Sequence, residues 1–204
     1  MLLKIFPSGP FATNAYFAAC ENTRRGIYID PAPGSAQMLR DASEGFDVQG
    51  IYLTHSHWDH IGDVAELELP VYVHALDAAN LKEPGSDGLP MMMPISKCEP
   101  SGYLEDQQTF QVGDLVFDVI HTPGHTPGGV CFYIKQENIL ISGDTLFKGS
   151  IGNLSFPTGD SQAMWRSLKK LAKLPPQTRV YPGHGEPTTI GGEPWISQAE
   201  EIFG

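Results

Sequence analysis

Between Thr54 and His60 the chain reads Thr-His-Ser-His-Trp-Asp-His, directly after an apolar, strand-like run at residues 50–54. On an extended segment, residues two apart project to the same side, so His55 and His57 can reach one metal ion. Asp59 and His60 lie past a bend, where the chain can turn them toward a neighbouring point. A lone histidine here would read as a polar surface turn, but three histidines and an aspartate within six residues resist that reading. Side chains of the same kind recur at later strand ends: His125 in HTPGHTPGG, Asp144 in ISGDTLF and His184 in YPGHGEP. Glycine or proline flanks each one, which permits tight turns that present a side chain at a sheet edge. The fold must therefore carry several separate strand ends to one place. Imidazole and carboxylate ligands without thiolate suit zinc, manganese or iron in a reactive site, whereas structural zinc is usually rich in cysteine.

Patterning supplies the strands. Apolar runs at 2–6, 15–19 and 27–29 read as short strands separated by Pro, Gly and Asn turn signals, followed by a helix at 35–43 and the strand at 50–54. A helix is predicted at 60–67, a strand at 71–73, a helix at 76–82 and an irregular stretch at 84–100 that contains Met91, Met92 and Met93. Strands are predicted at 115–120, 130–134, 139–141 and 179–181. The last delivers PGHGEP, and an amphipathic helix at 161–174 runs between Asp160 and Pro175. No repeat or linker divides the chain, so one domain over residues 1–204 is expected. Strands dominate both halves, which suits an α+β arrangement of two sheets covered by helices rather than a doubly wound parallel sheet.

Composition narrows the partners. A formal charge of −11 argues against nucleic acid, which calls for clustered Lys and Arg, and Lys169 and Lys170 read as the wet face of a helix. No run is long and apolar enough for a membrane span, and MLLKIFPSGP lacks the features of a secretory leader, so the expected location is the cytoplasm and the expected partner a small-molecule substrate. Cys20, Cys98 and Cys131 have no CxxC spacing and read as reduced thiols.

THSHWDH, HTPGHTPGG, GDTLF and PGHG together, and in this order, resemble the metal motifs of the metallo-β-lactamase superfamily, over roughly residues 14–190. The resemblance implies an αββα sandwich, two mixed sheets flanked by helices, with the site along one sheet edge. It implies a first metal on His55, His57 and His125, a second on Asp59, His60 and His184, and Asp144 bridging the two. Two divalent ions are expected, zinc first, with iron or manganese as alternatives. Ions about 3.5–4 Å apart can share a hydroxide, lower its pKa and polarise a carbonyl. Asp59 and Asp144 are the expected catalytic residues, Asp59 orienting the hydroxide or receiving a proton.

TNAYF, GDTLFKGSIG and PGHGEPTTIG resemble the short, single-domain relatives of glyoxalase II, the hydroxyacylglutathione hydrolases that cleave the thioester S-lactoylglutathione. Where many such relatives place a basic residue that contacts glutathione, this chain has Asn153, Leu154 and Ser155. Persulfide dioxygenases are similar across the same motifs and would hold a single iron on His55, His125 and Asp144. Lactonase or phosphodiesterase action on the same fold is a further reading. Thr54 and Thr126 are candidates to support the ligands, since metal-bound histidines usually pass their other N–H to an oxygen. Asp30 reads equally as such a support or as a plain turn residue. His74 and His121 read as structural, and Met91 to Met93 as a flexible apolar lid or as packing against the core, packing being the preferred reading.

Overall fold

The strand TNAYFAAC shows how the chain builds its layers, because every residue from Thr13 to Cys20 is buried. Ala15, Phe17 and Ala19 enter one apolar cluster, while the alternate Tyr16, Ala18 and Cys20 enter another. A strand covered on both faces loses the polar alternation of a half-exposed one and reads as a continuous apolar run. The computed structural model describes residues 1–203.

Six strands form the first sheet in chain order: β1 (Leu2–Ser8), β2 (Thr13–Cys20), β3 (Arg25–Ile29), β4 (Asp47–Tyr52), β5 (Val71–His74) and β6 (Gly102–Leu104). The first two pairings are antiparallel and the next three parallel. The second sheet contains β7 (Thr109–Val112), β8 (Leu115–His121), β9 (Val130–Ile134), β10 (Ile139–Gly143), β11 (Arg179–Pro182) and β12 (Thr188–Thr189), with only β10 and β11 parallel. Ile27 and Ile29 of the first sheet meet Phe117, Phe132 and Ile141 of the second in the central cluster. Outside the first sheet lie α1 (Ala36–Ala42), α2 (Val64–Leu67) and α3 (Ala78–Lys82); outside the second lie α4 (Ser161–Leu171) and α5 (Ala199–Phe203). The result is the expected αββα sandwich of two mixed sheets.

Helix α4 follows its sequence pattern. Met164, Trp165, Leu168 and Leu171 are buried, while Lys169 and Lys170 are exposed. Asp160 caps it, its carboxylate accepting from the Ala163 N–H at 2.9 Å. Removing a cap of this kind costs about 1 kcal/mol, so Asp160→Ala is expected to lower the unfolding free energy by that amount in urea titration.

Three expectations are corrected. The helix predicted from residue 60 begins only at Val64, because His60 and Ile61 close i→i+3 turns onto His57 and Trp58. Strands β6 and β7 were not expected; both are short, and β7 alternates exposed and partly buried residues with only Val112 fully buried. The methionine loop does not pack on the core, since Met92 is 65% exposed and Met91 is exposed as well. Cys20, Cys98 and Cys131 are free thiols as read. Among the described residues, no helix is long and apolar enough to cross a membrane.

Candidate metal centre

Strands β3, β4, β8, β10 and β11 all end on one rim of the sandwich, and each hands a polar side chain to it. After β4 the buried chain carries His55, His57, Asp59 and His60. The loop after β8 carries His125, Asp144 follows β10, and His184 follows β11. The left-handed backbone of Gly143 (φ +48) turns β10 toward Asp144, and a Cβ there would press on the Thr54 side chain. At Gly183 a Cβ would collide with Asp144 Oδ1.

All seven side chains singled out in the sequence come together. One ligand atom each from His55, His57 and His125 lies within 4.8 Å of the others, and the same holds for Asp59, His60 and His184. Asp144 stands between the trios: its Oδ2 is 3.3 Å from His125 Nε2 and 3.5 Å from His184 Nε2, and its Oδ1 is 3.4 Å from His60 Nε2. Among the described residues, His55 Nε2, His60 Nε2, His125 Nε2 and Asp144 Oδ1 are buried without a hydrogen-bond partner. Buried polar atoms are rarely left so. Orphaned atoms converging on one space, all of them good donors to a divalent cation, fit a metal pair.

The opposite edge of each ring is held. The Nδ1 atoms of His55, His60, His125 and His184 lie 2.9–3.1 Å from Thr54 Oγ1, Asp30 Oδ2, the Asn153 carbonyl and the Phe11 carbonyl respectively. Donating Nδ1–H in this way fixes the tautomer that offers Nε2 to the centre. His57 differs, because its Nε2 lies 3.4 Å from Thr158 Oγ1, which leaves Nδ1 for the centre. A third trio, Asp30, His55 and His60, is also close enough to ligate. The Asp30 carboxylate, however, already accepts from the Thr54 N–H, the Thr54 hydroxyl and His60, so it acts as a support. Asp30 also holds a left-handed backbone (φ 49), which aspartate and asparagine tolerate better than most residues. Asp30→Asn should keep that turn and weaken metal binding by about 10–100-fold, read by competition against a chromophoric chelator.

The electrostatics suit cation capture. Burial drives His55 well below its usual value and His57 down to about 3, so both stay neutral, the form that binds metal. Burial would raise Asp59 and Asp144, but the neighbouring His60 leads the charges and hydrogen bonds that hold Asp59 at about 2 and Asp144 well below its ordinary range. Burial works against charge on His184 too, yet its hydrogen bonds to Asp144 and Asp59 lift it to about 9. His60 is raised against the same penalty by Asp59 and Asp144. The two carboxylates thus draw positive charge into the space between the trios.

Comparison with known proteins gives this rim a family. The description "Metallo-beta-lactamase superfamily" matches residues 8–184. The chain belongs to the metallo-beta-lactamase superfamily. Among its relatives in that superfamily are "Probable metallo-hydrolase YqgX" of Bacillus subtilis, 33% identical over 90% of each chain, and "Hydroxyacylglutathione hydrolase GloC" of Haemophilus influenzae, 30% identical over 95% of each. The crystal structure of the BLEG-1 B3 metallo-beta-lactamase superposes with TM-score 0.86 at 36% identity, covering 96% of this chain and all of that one. TTHA1623, in a di-iron-bound form, gives 0.78 at 38% identity over 93% and 96%. Members of this superfamily are metal-dependent hydrolases, and the chain carries a His/Asp cluster able to bind metal.

Two supports of this metallo-beta-lactamase rim, Asp77 and Asn80, have no sequence signal of their own. Asp77, buried, accepts from the Thr126 hydroxyl at 2.7 Å and the Gly128 N–H at 2.6 Å, while its carbonyl accepts from Ser56 Oγ. It therefore clamps the His55–His57 turn to the His125 loop, and Thr126 serves Asp77 rather than a histidine ring as expected. Asn80 donates to the Ser56 carbonyl and to Asp87, and accepts from the Gly85 N–H, tying the same turn to the methionine loop. The TNAYF segment acts from the other side. Thr13 donates to Asp59 Oδ2 at 2.7 Å, and Asn14 and Tyr16 both donate to the Pro182 carbonyl beneath His184. His74 and His121 stack on each other at 4.2 Å and belong to none of the trios, as their structural reading requires.

Proposed function

We propose that the chain is a binuclear metal-dependent hydrolase acting on a thioester of the S-lactoylglutathione kind. His55, His57 and His125 would hold one ion, Asp59, His60 and His184 the other, and Asp144 both. The observation that carries this reading is the placement of the Asp144 carboxylate between two complete trios. When bound, a pair of divalent ions supplies a Lewis acid for the carbonyl oxygen and an activated water at neutral pH. The chain's own part is positioning. Thr13 fixes Asp59 through Oδ2, so that Asp59 orients the attacking water and can accept its proton. The Nδ1 contacts of the four imidazoles hold their rings while charge develops.

The relative named as a hydroxyacylglutathione hydrolase supports the thioester, and the di-iron form of TTHA1623 keeps iron beside zinc as the metal. A small-molecule substrate and a cytoplasmic location belong to the same reading. Its test is elemental analysis of the purified protein together with turnover of thioesters, lactones, phosphodiesters and glutathione persulfide. Two metals per chain and thioester hydrolysis without oxygen uptake are expected. A single iron with oxygen consumption would replace the hydrolase by a dioxygenase, and metal-loaded protein that turns over lactones or phosphodiesters alone would move the reading to those esters.

A further inference from the structure

The cavity beside the centre, about 230 Å³, has two unlike walls. His57, Asp59, His125, Asp144 and His184 form the first. The second is made of Phe11, Trp58, Leu89, Phe147 and Phe156, with Asn153 as its one polar member. The aromatic rings flank both trios. Phe156 stands 5.7 Å and 5.8 Å from His57 and His125, Phe147 stands 5.9 Å from His184, and Phe11 packs on Trp58 at 5.3 Å. The loop bearing Leu89 lies against the loop bearing Phe156, for a Cβ on Gly88 would sit 3.7 Å from Pro157.

Cationic groups are missing from this second wall. Among the described residues, no Lys or Arg lines the cavity. Lys148, next to Phe147 in the chain, already pairs with Glu186 at 2.8 Å. Asn153 is partly engaged as well, its Oδ1 accepting from the Ser155 N–H. An anionic group held away from the metals would give up its hydration and meet rings and methyl groups, which offer no compensation. An apolar group in the same place gains by leaving water.

We infer that the substrate group seated in this cavity is uncharged and apolar, an aryl or medium-chain alkyl group beside the scissile carbonyl. This rests on the thioester-hydrolase reading above and goes beyond it at the acyl group: the small lactoyl group of S-lactoylglutathione would leave the aromatic wall uncovered, whereas a larger apolar acyl group on the same kind of thioester covers it.

The test uses the full zinc-loaded chain and uncleavable thioethers of N-acetylcysteamine carrying S-ethyl, S-butyl and S-hexyl groups, with an S-hexyl analogue ending in a sulfonate. In calorimetric titration, affinity should rise roughly threefold to fourfold per methylene, and the sulfonate should remove at least about tenfold of the hexyl affinity. Phe156→Ala and Phe11→Ala should each weaken hexyl binding by roughly tenfold or more at unchanged metal content. Phe11 is 53% exposed, so its loss does not threaten the fold. Affinity that stays flat along the series, a sulfonate that binds as well as the plain chain, no measurable binding, or indifference to both variants would overturn the inference. Hydrolysis of hexanoyl-N-acetylcysteamine and S-lactoylglutathione, followed in the same preparation, separates the two readings. Thioether binding without any thioester turnover loses the thioester and keeps the pocket. Turnover of S-lactoylglutathione by a protein indifferent to the alkyl series does the reverse.

Discussion

Asp144→Asn is expected to leave the fold standing, to cut bound metal from two ions per chain to one at most, and to lower kcat/KM by at least about 10³-fold. The change preserves shape and removes one negative charge from the point where the two trios meet. Losing an outer support of a metal ligand typically costs about 10–100-fold, and losing one group that stabilises a developing oxyanion costs about 10²–10³-fold. Asp144 would fill the more demanding position of a ligand to both ions, so its loss should exceed either figure. Its Oδ1 has no hydrogen-bond partner among the described residues, and Oδ2 faces the ring nitrogens of His125 and His184, so the carboxylate serves the rim rather than the sheets. Elemental analysis and steady-state kinetics on the same sample decide it. A variant that still holds two metals and hydrolyses substrate within tenfold of the parent would show that Asp144 does not bridge.

The seven rim residues are legible in the sequence because each stands at a strand end beside glycine or proline, or within the tight spacing of THSHWDH. Strands with both faces buried, such as β2, β9 and β10, are legible as unbroken apolar runs. What escapes depends on contacts between distant segments. Asp77 is an unremarkable acid after a short strand until β8 and β9 bring Thr126 and Gly128 against it. Phe11, Leu89 and Phe156 look like loop residues in three separate places, and only the closed sandwich makes them one wall. Strand order is hidden for the same reason, since pairing is a property of the sheet. The missing helical turn at His60 reflects competition. A helix starting there would compete with the turn that gives His60 both its Asp30 contact at 2.9 Å and its aim at Asp144.

Removing the metals should cost stability as well as activity. At a free-ion concentration about 1,000 times Kd, binding to the folded chain alone adds roughly 4 kcal/mol. For a chain of this size each kcal/mol moves Tm by about 2–4 °C, so chelation is expected to lower Tm by roughly 8–16 °C. The ligands come from four separate segments, after β4, β8, β10 and β11, and metal bonds would tie them together. Proton uptake by His60 and His184 offsets only part of that loss, because burial still leaves His55 and His57 neutral and unconnected. Asp144→Asn supplies the control. With the carboxylate that would bridge the ions gone, scanning calorimetry should show the chelator-dependent drop in Tm shrink to less than half its parental size. An equal drop in both proteins would place the stabilising metal elsewhere on the chain, and no drop in the parent would mean that the rim folds equally well without ions.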